Sequence, residues 1–139
     1  MSIKLEIDKT SFSNVNKRLK KVGYKVRTNV MRKGMRRFTA VIRNRARELA
    51  PVRTGNLKKS ITSKTSSRAK TGMIIGRVFI SRKRGVHYGH IQEYGSYVRK
   101  QPARRFMTRA FEEFNDEDLF GHFVNAALIE ELRKMGLSK

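Results

Sequence analysis

Ala50-Pro51-Val52-Arg53-Thr54-Gly55-Asn56-Leu57-Lys58-Lys59-Ser60-Ile61 is the stretch at which a long basic helix gives way to extended chain. Proline disfavours helical geometry in the residue before it and lacks a backbone donor, so the helix is predicted to end at Ala50. Gly55 is free to take the positive φ that a tight change of direction needs. Beyond it, Leu57, Lys59, Ile61 and Ser63 alternate with Lys58, Ser60 and Thr62, the pattern of a half-buried strand. The segment reads as a structural joint and not as a catalytic motif.

Upstream, the helix is predicted from about Tyr24. At about 100° per residue, Met31, Met35, Phe38, Ile42, Ala46 and Leu49 share one arc, and Arg32, Lys33, Arg36, Arg37, Arg43 and Arg47 lie opposite. This spacing marks a core stripe beneath a cationic outer face. Arg45 falls inside the apolar arc, where it either snorkels to the surface or pairs with a carboxylate such as Glu93. Before the helix, Ile3, Leu5 and Ile7 alternate with Lys4, Glu6 and Asp8 as a short edge strand. Thr10 or Ser11 can cap a helix carrying Phe12, Val15, Leu19 and Val22, which Gly23 ends or kinks.

Downstream, Ser63 to Thr71 reads as a polar turn or basic loop. Met73-Ile74-Ile75-Gly76-Arg77-Val78-Phe79-Ile80 is rich in branched and aromatic side chains, and is predicted to be a strand pairing antiparallel with the one after the joint. Gly85 to Ser96 is dense in glycine and aromatics and is expected to pack on the sheet, turning at Gly89 and Gly95. Ser96 to Gln101 reads as an exposed loop. Pro102 is predicted to open a helix with Phe106 or Met107, Ala110, Phe111 and Phe114 along its apolar stripe. Asp116-Glu117-Asp118 suits the start of a last helix, where carboxylates meet the positive end of the helix dipole. Leu119, Phe120, Phe123, Ala127, Leu128 and Leu132 supply its contacts.

These elements predict an α+β fold, a long amphipathic helix on a small antiparallel sheet with C-terminal helices. The organisation is one domain, with an edge strand over 1–8, basic helices over 11–50, sheet and loops over 56–96 and C-terminal helices over 102–135. A chain of 139 residues fits one modest core.

The formal charge of +22 is unevenly placed. Residues 9–109 hold 29 Lys and Arg against Glu48 and Glu93, whereas residues 110–139 hold three basic and seven acidic side chains. Such a field favours polyanions, either nucleic acid or an acidic protein surface. The absence of cysteine excludes disulfides, thiol nucleophiles and cysteine metal sites, and fits assembly in the cytoplasm. No run approaches the roughly 20 apolar residues of a membrane span, and the amino terminus lacks a signal-peptide core. No membrane partner is expected.

No metal site, cofactor or catalytic residue is predicted. His87 and His90 lie three apart, but only Glu93 stands near enough to complete a ligand set with them. No Gly-x-Ser-x-Gly elbow or Gly-x-x-x-x-Gly-Lys-Ser/Thr loop is present. The carboxylates Glu112, Glu113, Asp116, Glu117 and Asp118 fall on or between exposed helices, where solvation is the default. Sequence-tolerant, electrostatic nucleic-acid binding is the rival that the charge allows.

Three blocks carry a resemblance. The joint has Ala50-Pro51, two variable residues, Thr54-Gly55, then Leu57, a basic residue and Ser60. Ile91-Gln92-Glu93-Tyr94-Gly95-Ser96 supplies a Glu-aromatic-Gly-Ser element. Gln101-Pro102-Ala103-Arg104-Arg105-Phe106 leads into the helix containing Ala110. In this order they resemble the tail-completion or neck proteins of long-tailed double-stranded DNA bacteriophages, over about Phe38 to Phe111. Arg105 departs from the pattern, standing where that family usually has a second proline.

The resemblance implies a structural virion protein. It would form a homo-oligomeric ring, a hexamer by family expectation, that completes the head-proximal tail end and joins it to the head connector. Its partners would then be head-completion or connector proteins and the tail tube or terminator, with nonspecific contact to passing DNA. Given the charge, Lys58, Lys59, Arg68, Lys70, Arg82, Lys83 and Arg84 are expected to face neighbouring proteins or DNA, and Glu112, Glu113, Asp116, Glu117 and Asp118 the basic surface of an adjacent subunit.

Overall fold

The computed structural model describes residues 2–6, 20, 23–68, 71–82 and 86–136, with side chains described from residue 20 onward. The helix predicted from Thr10 or Ser11 and the candidate cations Lys70, Lys83 and Arg84 lie outside those residues.

Helix α1 (Tyr24–Leu49) runs 26 residues from its N-cap Gly23. Ala50 leaves it with extended angles, φ −64 and ψ 134, as the proline that follows requires, while its N–H still donates to the Ala46 carbonyl. The buried positions Val30, Gly34, Met35, Phe38, Thr39, Ile42 and Ala46 make a stripe that touches two layers. On one flank Met35 and Thr39 lie against Gly76 of the sheet, so closely that a Cβ there would overlap the Thr39 methyl. Thr39 turns that methyl outward by donating its hydroxyl back to the Met35 carbonyl at 2.9 Å. On the other flank Gly34 meets Val124, and the Phe38 and Phe120 rings pack edge to face with centroids 5.4 Å apart. Fully burying each ring stabilises the fold by about 1.5–3 kcal/mol.

Gly55 takes φ 75, as the joint predicts, but helix α2 (Asn56–Ser60) follows it where an extended segment was expected. Leu57 and Ser60 are buried with Lys58 and Lys59 exposed, a spacing of three that fits a single helical turn as well as it mimics alternation. Lys59 N–H donates to the Gly55 carbonyl at 3.0 Å, and the Ser60 hydroxyl to the Leu57 carbonyl at 2.7 Å. The strand starts only at Ile61.

The sheet has three strands in the order β1-β3-β2, with β1 (Ser2–Glu6) and β2 (Ile61–Arg68) each antiparallel to β3 (Met73–Ile80). The edge position of β1 and the β2–β3 hairpin match the sequence reading. Strand β2 continues through the Ser and Thr residues read as a loop, because Ser63 and Ser67 reach arginines of α1: Arg43 donates to the Ser63 hydroxyl at 3.5 Å and Arg32 to that of Ser67 at 2.7 Å.

Those contacts also correct the picture of a cationic outer face on α1. Arg47 donates to the Ile61 carbonyl at 3.0 and 2.7 Å. On the opposite flank Lys33 and Arg37 engage Glu130 and Glu131. A helix held between a sheet and a helical layer exposes only a narrow strip, so long side chains on its flanks reach neighbours.

Helix α3 (Gly89–Tyr94) packs on the sheet through Gly89, which is helical and not a turn as expected; a Cβ there would lie 2.5 Å from Ile80 Cδ1. Helix α4 (Phe106–Phe114) starts four residues after Pro102, in place of the predicted opening at that proline. Helix α5 (Glu117–Lys134) begins as the sequence indicates, with the Asp116 carboxylate accepting the Asp118 N–H at 2.9 Å. Helices α4 and α5 both lie against α1, completing a sheet, helix and helix-pair stack.

Candidate assembly interface

The residues of the three sequence blocks gather around the ends of α2, α3 and α4. Ala50, Leu57, Phe106 and Ala110 are core residues. Leu57 lies against Gly89, and Ser60 gives its carbonyl to the Ser81 N–H at 2.8 Å, so the joint, β3 and α3 are locked together. Thr54 and Pro102 are at the surface, and Tyr94 is exposed.

Glu93 is fully buried and does not pair with Arg45. Arg45 instead binds Glu113 at 2.5 and 3.3 Å and Glu48 at 3.0 Å. Glu113 holds the Arg45 guanidinium protonated above its ordinary range, and in return the Glu113 carboxyl is pulled below its own. The Glu93 carboxylate accepts the N–H groups of Met107 and Thr108, each at 2.9 Å, and the Thr108 hydroxyl at 2.5 Å. Met107 and Thr108 are the second and third residues of α4, whose N-cap, Arg105, makes no side-chain cap bond. Glu93 thus does from α3 what an N-cap aspartate does locally, placing negative charge at the positive end of the helix.

Arg105 has φ 48 and ψ 35, a left-handed backbone that proline cannot adopt, and its N–H donates to the Glu93 carbonyl at 3.0 Å. The departure from the family pattern therefore falls where the chain needs both a donor and a positive φ.

Between α3 and α4 the chain makes a small hairpin. Ser96 and Gln101 exchange backbone hydrogen bonds at 3.0 Å each, closing the turn Tyr97-Val98-Arg99-Lys100, within which Lys100 N–H donates to the Tyr97 carbonyl at 3.2 Å. The base is fixed by Arg104 N–H to the Gln92 carbonyl at 2.9 Å. Gly95 has φ 77 and lies so near Gln101 and Ala103 that a Cβ would sit 2.7 Å from the Gln101 carbonyl oxygen. On this braced tip Tyr97 is 100% exposed and Val98 92% exposed. The sequence reading does not single out this pair, whose one signal is two apolar residues inside a polar loop.

Among the described residues, the predicted charged positions do not converge on one site. Lys58 and Lys59 are exposed on α2, Arg68 at the end of β2, and Arg82 just after β3. Glu112 pairs with Arg105 at 3.2 Å, Glu113 is taken by Arg45, and Asp116, Glu117 and Asp118 crowd the exposed start of α5. Among the described residues no three His, Asp or Glu side chains group as metal ligands, and no helix is long and apolar enough to cross a membrane.

A family model described as "Bacteriophage HK97-gp10, putative tail-component" matches residues 13–95. The match takes in all of α1, further toward the amino terminus than the resemblance beginning near Phe38, and stops at Gly95, before the Pro102 block. No curated protein and no solved structure gives a significant match. Since the matched region spans more than half of the chain, this protein belongs to the HK97-gp10-like family of phage tail components.

Proposed function

We propose that this tail component is a structural subunit of the phage neck, without catalytic activity, that assembles as a ring, a hexamer, at the head-proximal end of the tail and joins it to the head connector. The observation that carries this reading is the Tyr97–Val98 tip. Two large apolar side chains stand almost wholly in solvent on a turn whose backbone hydrogen bonds hold it in place. Exposed apolar groups on a pre-ordered support are the anchors of protein interfaces, because little ordering entropy is sacrificed on docking.

The occupant is the next copy of the chain. Arg99 and Lys100 flank the tip, and the exposed corner of Glu112, Asp116, Glu117 and Asp118 offers the opposite charge. A knob on one surface meeting a different surface of its neighbour is a heterologous contact, the kind that closes into rings. Assembly takes place in the host cytoplasm, and the mature location is the virion neck.

Two measurements test the reading. The purified protein, examined by mass photometry alone and with its tail tube and connector proteins, should form a closed oligomer that Tyr97→Asp with Val98→Asp abolishes while the melting temperature is kept. Purified virions should contain the protein in fixed stoichiometry at the neck, and its absence from them would end the proposal.

A further inference from the structure

Strand register places three cations side by side. Lys4 of β1 is opposite Arg77 of β3, which is opposite Lys64 of β2. Ser63 and Ser67 bond to α1, and Gly76 lies beneath it, so strand alternation turns Lys64, Ser66, Arg68 and Arg77 to the other side of the sheet. We propose that this sheet surface, with Arg77 and Lys64 paired across β3 and β2 and Arg68 toward one end, binds the phosphate backbone of nucleic acid.

The side chains exposed there favour this partner. Ile75 is buried and Thr62, Met73 and Phe79 are half-buried, which leaves Lys64, Ser66, Arg68 and Arg77 in solvent. Three cations and a hydroxyl are phosphate ligands, and among the described side chains the surface shows no fully exposed aromatic or aliphatic anchor of the kind that a stable protein interface needs. Like charges directly opposite each other on adjacent strands repel, and an anion laid across them removes that repulsion. Among the described residues neither Lys64 nor Arg77 has a carboxylate partner; Glu6, at the next same-face position of β1, is opposite Ile75.

The dimensions also fit. Three strands span roughly 10 Å across, and Lys64 to Arg68 roughly 13 Å along the strand. About 10 Å of duplex axis carries roughly six phosphate charges, enough for every cation of the patch. Nothing in the arrangement reads base edges, so binding is sequence-tolerant. The inference rests on the virion reading only in taking the genome as the resident polyanion.

The test uses the full chain and a fluorescent 30-base-pair duplex of arbitrary sequence, titrated by anisotropy over a salt series. Each phosphate that a side chain neutralises contributes about 0.9 to the slope of log K against log salt, so Lys64→Gln with Arg77→Gln should reduce it by nearly two and weaken binding roughly tenfold or more near 0.1 M salt. Lys25→Gln with Arg36→Gln, an equal charge change at exposed positions of α1, should alter the slope by less than half as much. Equal effects from both pairs would overturn the proposal, since the field would then be diffuse.

The chain has no cysteine, so Arg77→Cys alone can carry a photo-crosslinker. Crosslinks to duplex are expected in solution and crosslinks to genome in virions; crosslinking to protein alone would overturn the inference. Ring formation is read separately by mass photometry, so loss of oligomers with retained DNA crosslinks would sink the assembly reading and leave this one standing.

Discussion

The carboxylate of Glu93 receives the backbone N–H of Met107 at 2.9 Å, across 14 residues of chain, and so ties the end of α3 to the start of α4. Every element of the hairpin that presents Tyr97 and Val98 hangs between these two anchor points. Replacing Glu93 with Gln keeps the shape but removes the charge and turns its NH2 donor toward one of the two amides that the carboxylate oxygens accept separately. The expected cost is about 2–4 kcal/mol, read as a fall in melting temperature of roughly 8–16 °C for a chain of this size. Thr108→Val, which keeps both amide bonds, should cost only about 1 kcal/mol. Equal melting temperatures for Glu93→Gln and the parent would show that the cap contributes nothing.

Arg105 offers a sharper test of backbone geometry. Arg105→Pro loses the N–H that binds the Glu93 carbonyl and cannot reach φ 48, so it should destabilise by about 3 kcal/mol or more. Arg105→Gly relieves the left-handed conformation and should be neutral or stabilising by up to about 1 kcal/mol. Chemical denaturation of both variants checks the order, and a proline variant as stable as the parent would remove the geometric argument.

The α1–α5 contact leaves no room for a methyl group at residue 34. A Cβ on Gly34 would stand 2.6 Å from Val124 Cγ2 and 3.0 Å from Val124 Cα. Gly34→Ala should therefore cost about 1–3 kcal/mol. Adding Val124→Ala should recover only part of the clash energy in a double-mutant cycle, because backbone as well as side chain is in the way.

Acid should weaken the same pair of helices. Arg37, then Lys33 and Lys134, hold the Glu130 carboxyl down at about 2 from its ordinary 4.5, and Lys33 lowers that of Glu131. A carboxylate whose folded value is depressed contributes stability above its unfolded value, and that contribution is lost as pH falls through the window down to the folded one. Melting temperature should thus fall more steeply below about pH 4.5 in the parent than in Glu130→Gln with Glu131→Gln, and the difference should shrink in high salt. Parallel pH profiles at low salt would contradict the assignment.

Much of this molecule was legible in its residues. Pro51 ends α1, Gly55 takes the positive φ of the joint, branched residues make β3 a strand, and Asp116 caps α5, because each of these outcomes depends on groups within a few positions of one another. The core stripe of α1 followed from its spacing for the same reason. The misreadings came where two periodicities overlap or where a distant partner decides. Leu57 to Ser60 fits a turn of helix or a strand until packing against Gly89 chooses, and the serines of β2 look like loop residues until the arginines of α1 reach them.

What only the tertiary structure decided is the pairing of charges. Arg45 could have met any carboxylate and met Glu113, while Glu93, free of it, became a helix cap; Lys4, Arg77 and Lys64 stand abreast through register alone. Local preferences set dihedral angles over a few residues, whereas an ion pair or a cross-strand row depends on distances across the folded chain, which no single segment contains.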